Sequence, residues 1–89
     1  MLEFKKGEVQ YVSATARPET PGEIAVINSA TYELTGYEDK TIIQNGNCEI
    51  EGNVLRALLD MKSEGFYTLT ITAHIGKETI IKDEVISVK

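Results

Sequence analysis

The sequence has few of the residues on which disulfide-stabilised, metal-binding and catalytic domains depend. Cys48 is the only cysteine among 89 residues, His74 is the only histidine, and tryptophan is absent. A single thiol cannot form an internal disulfide, so the fold must be stabilised by its core alone, as in proteins that fold in a reducing compartment. No apolar run approaches the ~20 residues that a membrane-spanning helix needs.

Positive charge is also scarce. Nine lysine and arginine residues stand against fourteen aspartate and glutamate residues, which gives a formal net charge of −5. That balance opposes binding to nucleic-acid phosphates and to anionic membranes. The first ten residues contain lysines but no apolar run behind them, so no secretory signal is visible. We therefore expect cytoplasmic synthesis, no secretion by a signal of its own, and neither a nucleic acid nor a membrane as partner.

The residue groupings that carry catalysis or bind metal ions are missing. The sequence contains no G-x-S-x-G elbow, no phosphate-binding G-x-x-x-x-G-K-[ST] loop and no H-E-x-x-H pair. His74 lies on the polar face of a predicted strand, and nothing in the sequence brings Cys48 near it. The acidic residues in or near predicted turns match no calcium-binding loop in their spacing; they are Glu38, Asp39, Glu49, Glu51 and Asp60. The sequence thus predicts a protein that is not an enzyme and that has no cofactor and no metal site.

What the sequence does contain is a series of short extended runs. Residues 8–16 are rich in β-branched and aromatic side chains, and residues 24–36 alternate between apolar and polar positions. Residues 66–75 alternate most clearly, with five apolar side chains on one face: Tyr67, Leu69, Ile71, Ala73 and Ile75. Each run predicts a strand, and the prolines and the glycine of residues 17–22 predict a loop between the first two.

Glycine-containing pairs predict where the chain turns between strands. Asn45-Gly46 is the preferred pair for a two-residue hairpin turn because both positions need a positive φ, so residues 40–44 and 47–51 are predicted to form a hairpin. A further turn is expected at residues 51–53. Gly76-Lys77 has its glycine first, as a type II′ turn requires, and predicts a tight turn into the last strand.

The last run, residues 78–89, breaks its own alternation. Ile80 and Ile86 share a phase, but Lys82 and Glu84 fall in that phase as well. Either a bulge resets the register around residues 82–84, or this part of the strand is an exposed edge that is kept polar to discourage pairing between sheets. We favour the bulge.

The segment at residues 54–62 fits two structures. It is rich in good helix formers, and Gly65 suits the position after a helix C-terminus. Its apolar residues also recur at every second position, as in a strand. The segment is shorter than the ~12–15 residues at which an isolated helix becomes marginally stable, although tertiary contacts could hold a shorter one. We favour a strand and keep a short helix as the alternative.

The stretch LDMKSEGFYTL, which starts at Leu59, resembles the corner of immunoglobulin-like sandwiches. In that corner a tyrosine opens a long strand, and its hydroxyl bonds back to the backbone upstream. By this resemblance Tyr67 is the corner tyrosine and Gly65 is the turn glycine, while Ser63 stands at the usual acidic position. Together with the short, regularly spaced strands, the resemblance implies an all-β, immunoglobulin-like, two-sheet antiparallel sandwich of about seven strands, in one domain over residues 1–89.

The predicted core combines the inward positions of these strands. Its members are Tyr11, Ala30, Tyr32, Leu34, Ile42, Ile50, Leu55, Leu59, Tyr67, Leu69, Ile71 and Ile86. At roughly 1.5–3 kcal/mol for each large side chain that is fully buried, such a set is adequate for a small domain and gives no surplus.

The chain opens with FKKGEVQYVSATARPETPGEIAVINSATYELTG, a strand–Pro/Gly loop–strand unit, and has GFYTLTITAHIGKETI near its end. In these features it resembles small immunoglobulin-like modules in tail and virion proteins of phages and prophages, especially those of Gram-positive hosts. The resemblance implies a non-enzymatic assembly or attachment protein that joins other protein subunits of a larger particle. Related modules occur in bacterial surface adhesins, so a binding domain of an adhesin is the alternative, and a small enzyme or ligand carrier is the third hypothesis.

Two aromatic residues are candidates for contact with a partner. Tyr37 stands between Gly36 and Glu38 in a predicted loop, and Phe66 lies on the polar face of its strand. Aromatic side chains in exposed positions are common anchors where proteins meet. Peripheral packing against the sandwich is the competing interpretation for both residues.

Overall fold

Every regular element of the described chain is a β-strand. The computed structural model describes residues 1–16 and 27–89, with the strands β1 (Leu2–Phe4), β2 (Val9–Thr15), β3 (Ile27–Gly36), β4 (Ile42–Asn47), β5 (Glu49–Glu51), β6 (Val54–Asp60), β7 (Gly65–Ile75) and β8 (Glu78–Val88). The expectation of an all-β protein with two sheets is confirmed, with eight strands in these residues where the sequence suggested about seven. The loop predicted at residues 17–22 and the first residues of the run at 24–36 lie outside the described ranges.

The strands form two sheets that enclose one core. The larger sheet has the order β1-β8-β7-β3-β4, and the smaller sheet has the order β2-β6-β5. Hydrogen-bonded neighbours are antiparallel, except that β1 runs parallel to the end of β8. The chain therefore crosses repeatedly between the sheets, as a two-layer sandwich requires.

The core is built by alternation along the strands. β7 sends every second side chain inward, as predicted. β6 does the same from the opposite sheet. Six large side chains are almost completely enclosed: Leu34, Leu55, Leu59, Met61, Leu69 and Ile86. At roughly 1.5–3 kcal/mol each, they are the main stabilising contribution in a chain that has no disulfide.

Three members of the predicted core are exposed instead. Tyr11 points outward because β2 turns Val12 and Ala14 toward the interior. Ile42 sits at the start of β4, where the register with β3 shifts, and this irregularity turns it out of the core. Ile50 belongs to the three-residue edge strand β5, which leaves its side chain partly outside the sandwich. The other predicted members are buried or partly buried.

The segment with two interpretations is a strand. β6 pairs with β2 along its whole length, and its beginning also pairs with β5. The hydrogen bonds and the burial gained on the two sides outweigh the helix propensity of its residues. The alternative of a short helix at residues 54–62 is wrong.

The hairpin predicted at Asn45-Gly46 is also wrong. β4 runs through both residues, and Gly46 pairs with Tyr32 of β3. Packing overrides the local turn preference, because the Tyr32 ring lies so close to Gly46 that an added Cβ would come within 3.3 Å of it. The chain instead passes to the other sheet at Cys48, whose N–H donates to the Ala30 carbonyl at 2.9 Å.

The two other predicted turns are present. β5 and β6 form a hairpin around Gly52-Asn53, with Gly52 at a φ of 61°. β7 and β8 form a hairpin around Gly76-Lys77, with Gly76 at a φ of 58°. In both turns a positive φ falls on glycine, which adopts it without steric cost.

β8 is regular, so the bulge predicted around residues 82–84 is wrong. It pairs with β7 from Glu78 to Val88 without a shift in register. Within the described residues, β1 covers only the last three positions of β8 on its other side, which makes the remainder an edge. Lys82 turns inward at this edge, and its ammonium donates to the Thr15 carbonyl of β2 at 2.7 Å. Inward-pointing charge on an edge strand discourages pairing with another sheet, as the second sequence interpretation held.

Candidate functional site

The connection between β6 and β7 is held by Tyr67. Its hydroxyl donates to the Ser63 carbonyl at 2.8 Å and lies 3.5 Å from the Glu64 carbonyl, while its ring is buried against the core. Gly65, which opens β7, has a φ of 141°, a conformation that side chains other than glycine rarely adopt. The two residues thus fix the direction in which β7 leaves the loop, and with it the position of Phe66.

Tyr37 and Phe66, far apart in the sequence, are neighbours in the structure. The Tyr37 N–H donates to the Phe66 carbonyl at 3.0 Å, and the side chains are 50% and 57% exposed. Alternation explains the exposure of Phe66, because the next residue, Tyr67, faces the core. Together with Ile43, the two aromatic residues line a shallow depression of about 420 Å³. We call Tyr37, Ile43 and Phe66 the corner patch.

The loop that carries Tyr37 is braced by its own hydrogen bonds. The Gly36 N–H donates to the Thr41 carbonyl at 2.9 Å, the Lys40 N–H donates to the Gly36 carbonyl at 3.1 Å, and Asp39 Oδ1 accepts from the Thr41 N–H at 3.0 Å. A Cβ at Gly36 would lie 2.3 Å from that carboxylate oxygen, so a larger residue would displace the Asp39 side chain from the Thr41 N–H. The Lys40 ammonium lies 5.6 Å from the centre of the Tyr37 ring, within the range of a cation–π interaction. Such bracing reduces the entropy that Tyr37 would lose on binding.

The charges around the corner patch are mainly negative. Glu38, Asp39 and Glu64 line the same depression. The Lys40 ammonium above the Tyr37 ring is the cation beside them. An apolar centre with a charged rim is the arrangement typical of a surface that contacts another protein.

The edge of β6 beside the corner patch is capped by side chains of the larger sheet. The Tyr32 hydroxyl donates to the Leu58 carbonyl at 3.4 Å. The Gln44 amide donates to the Asp60 carbonyl and accepts from the Asp60 N–H at 3.2 Å. The sequence did not predict this cap, because it depends on how the two sheets are stacked.

The two residues considered for nucleophilic chemistry are not brought together. Cys48 is buried in the core, and burial raises the pKa of its thiol, which lowers the fraction of reactive thiolate. His74 lies exposed on the outer face of the larger sheet, where its Nδ1 is 3.2 Å from the Thr79 hydroxyl. Four surface depressions of about 370–450 Å³, all lined by described residues, include neither of them.

The acidic residues considered for calcium do not converge. In residues 1–16 and 27–89, no three histidine, cysteine, aspartate or glutamate side chains form a group that could hold a metal ion. Nor does this part of the chain contain a helix of the length and apolarity that crossing a membrane requires.

Ile43 is the member of the corner patch that sequence reasoning missed. It follows Ile42 directly, and two adjacent isoleucines cannot both face the core of a regular strand. That pair was the available signal that one isoleucine would reach the surface; with the register shift between β3 and β4, both are exposed.

Comparison with known proteins supports the architecture. The sequence matches no protein-family model and no curated protein. Among solved structures, a crystal structure of an engineered protein is similar, with a TM-score of 0.77 and 16% sequence identity. The alignment covers 99% of this chain but only 18% of that protein, so this chain spans a small part of the longer one. At this identity the likeness shows the fold alone: a two-sheet β-sandwich.

Proposed function

We propose that the protein is an immunoglobulin-like module that works without catalysis, as a structural or binding part of a larger protein assembly. The strand order supports the immunoglobulin assignment. β2, β6 and β5 correspond to strands B, E and D of that fold, while β3, β7 and β8 correspond to C, F and G, with β4 beside C. Tyr67 has the position and the backward hydrogen bond of the tyrosine corner.

The observation that carries the binding function is the adjacency of Tyr37 and Phe66. The two rings are exposed, they are held in place by a bonded loop and by the corner, and they share a depression with Ile43. Burying the exposed half of each ring against a partner would contribute roughly 1–1.5 kcal/mol. Association costs about 4–15 kcal/mol of lost freedom, so this patch must act within a larger interface or in many copies at once. A particle built from repeated subunits meets that condition.

The setting we propose is the virion or tail of a phage or prophage. It follows from the sequence resemblance to the immunoglobulin-like modules of such particles. The second candidate is a binding domain of a bacterial surface adhesin. It rests on the same sequence resemblance, because related immunoglobulin-like modules occur in such adhesins.

Co-purification with particles tests the proposal. Tagged protein is expressed in the bacterium of origin, prophages are induced, and the lysate is fractionated on a density gradient. We expect the wild-type chain to travel with virion or tail proteins, and a Tyr37→Ser, Phe66→Ser double variant to remain at the top of the gradient. Ile81→Ser is the matched control, because Ile81 is also an exposed apolar residue of the larger sheet but lies outside the corner patch.

Two results would decide against the phage assignment. A wild-type chain that stays monomeric and alone in the induced lysate contradicts it. A full-length reading frame that continues into a longer protein with a secretion signal favours the adhesin. Circular dichroism of each variant confirms that the sandwich is intact before its position in the gradient is interpreted.

A further inference from the structure

A second group of exposed apolar side chains lies on the smaller sheet, away from the corner patch. Val9, Tyr11 and Leu58 are 56%, 49% and 45% exposed. Tyr11 and Leu58 are direct cross-strand partners of β2 and β6, and Val9 is the next outward residue along β2. Alternation sends all three to the outer face, because Leu55, Ala57 and Leu59 of β6 are buried. We call these three residues the β2–β6 face.

Tyr11 is braced by an arginine. The Arg56 guanidinium lies 5.8 Å from the centre of the Tyr11 ring and forms an ion pair with the Glu51 carboxylate on β5. Tyrosine and arginine are the residues most enriched, with tryptophan, among those that dominate binding energy at interfaces. A ring that is already oriented loses less entropy when a partner covers it.

The charge around this face selects the partner. The outward positions of β5 and β6 carry three carboxylates, Glu49, Glu51 and Asp60, against Arg56, and the ammonium of Lys62, just after β6, lies 3.8 Å from Asp60, which leaves an excess of one negative charge. A second copy of the chain would bring carboxylates against carboxylates, and its formal net charge of −5 opposes self-association more generally. Nucleic acid and anionic membranes are opposed by the same charge.

We propose that the β2–β6 face docks a different protein, through a surface of that protein with an apolar centre and a rim of lysine and arginine. The β2–β6 face and the corner patch belong to different sheets, and the molecule is only about 20 Å thick. The module can therefore contact two neighbours at once, one through each sheet. This inference uses none of the residues of the corner patch and stands whether or not the phage assignment does.

A peptide titration followed by NMR tests the face directly. The probe is a short synthetic peptide in which leucine and phenylalanine alternate with lysine, added to ¹⁵N-labelled full-length protein at low salt. We expect shift changes centred on Val9, Tyr11 and Leu58, and a dissociation constant that rises steeply with salt. Tyr11→Ser should weaken binding roughly tenfold, the loss typical of an aromatic hot spot.

Two variants and a second peptide serve as controls for binding at the β2–β6 face. Ile81→Ser and Phe66→Ser should leave the dissociation constant unchanged, because both residues lie on the larger sheet. A peptide with glutamate in place of lysine should not bind. The proposal is overturned if shift changes map outside the β2–β6 face, if the glutamate peptide binds equally well, or if Tyr11→Ser has no effect. Concentration-dependent dimers in sedimentation that disappear in Tyr11→Ser would show instead that the face binds a second copy.

Discussion

Replacing Tyr67 by phenylalanine removes one oxygen atom from the centre of the corner and leaves the buried ring in place. The lost group is the hydroxyl that donates to the Ser63 carbonyl at 2.8 Å. Because the ring still fills its space in the core, the change creates almost no cavity. The change in the free energy of unfolding therefore measures the contribution of the hydrogen bond. A net intramolecular hydrogen bond contributes about 0.5–1.5 kcal/mol.

The surroundings of Ser63 narrow the expected loss of stability within that range. Ser63 is exposed, so water can reach its carbonyl in the variant and replace part of the lost bond. We therefore expect Tyr67→Phe to lower the free energy of unfolding by about 1 kcal/mol. In a domain of this size that corresponds to a fall in Tm of about 4–8 °C. The fold itself should survive, since a chain of this length has about 4–13 kcal/mol of stability.

Urea unfolding followed by circular dichroism measures the change, with Tyr37→Phe as the matched control. The Tyr37 hydroxyl makes no hydrogen bond to any residue in the described ranges, and half of its side chain is exposed. Its removal should change the free energy of unfolding by less than about 0.5 kcal/mol. Equal effects of the two substitutions would refute the role assigned to the corner, as would a Tyr67→Phe variant that unfolds completely.

Three further predictions address other parts of the sandwich. Gln44→Leu removes both hydrogen bonds to the Asp60 backbone and should cost about 1–3 kcal/mol in urea unfolding, whereas Asn45→Leu on the opposite face of the same strand should stay within about 0.5 kcal/mol. Lys82→Leu removes the inward charge from the edge of β8 and should produce concentration-dependent association in sedimentation; a variant that stays monomeric at high concentration would show that the charge does not protect the edge. Burial raises the pKa of the Cys48 thiol, so it stays neutral to higher pH in the folded than in the unfolded state. Stability should therefore fall as the pH rises past the unfolded thiol's pKa of about 8.5, and this fall should be absent in Cys48→Ala.

The sequence predicted those strands whose alternation is strict and whose turns are local. Residues 66–75 could be assigned because a five-fold alternation fits no helix, and the turn at Gly76 needs only its own backbone conformation. Residues 54–62 stayed ambiguous because helix propensity and period-two alternation coexist in them. Only the pairing with β2 and β5 resolves that conflict, and pairing partners are not visible in a single strand.

The errors have one physical origin, which is tertiary packing that overrides a local preference. Asn45-Gly46 would favour a turn in isolation, but β3 holds it in a strand and the Tyr32 ring covers the glycine. Lys82 seemed to break the pattern of β8, but it faces inward at an edge that β1 does not cover, and its ammonium donates a hydrogen bond to a carbonyl of the other sheet. Neither effect can be read from the residues nearby in the sequence.

Two of the three members of the corner patch, Tyr37 and Phe66, were predictable from the sequence, but their arrangement was not. Exposure of Phe66 follows from alternation next to Tyr67, and Tyr37 lies in a loop marked by Gly36. Their adjacency depends on β3 and β7 being neighbours in the sheet, which requires the strand order. Ile43 joins them only because the register of β3 and β4 shifts nearby.

The proposed function depends on Tyr37 and Phe66 being neighbours in space. It also depends on the chain passing from the larger to the smaller sheet at Cys48. Nuclear Overhauser effects in solution measure both most directly. The structure predicts cross-peaks between the Tyr37 amide proton and the protons of Phe66, together with cross-strand peaks between Tyr32 and Gly46. Cross-peaks that pair Gln44 with Asn47 around a tight turn, with none between Tyr37 and Phe66, would contradict it.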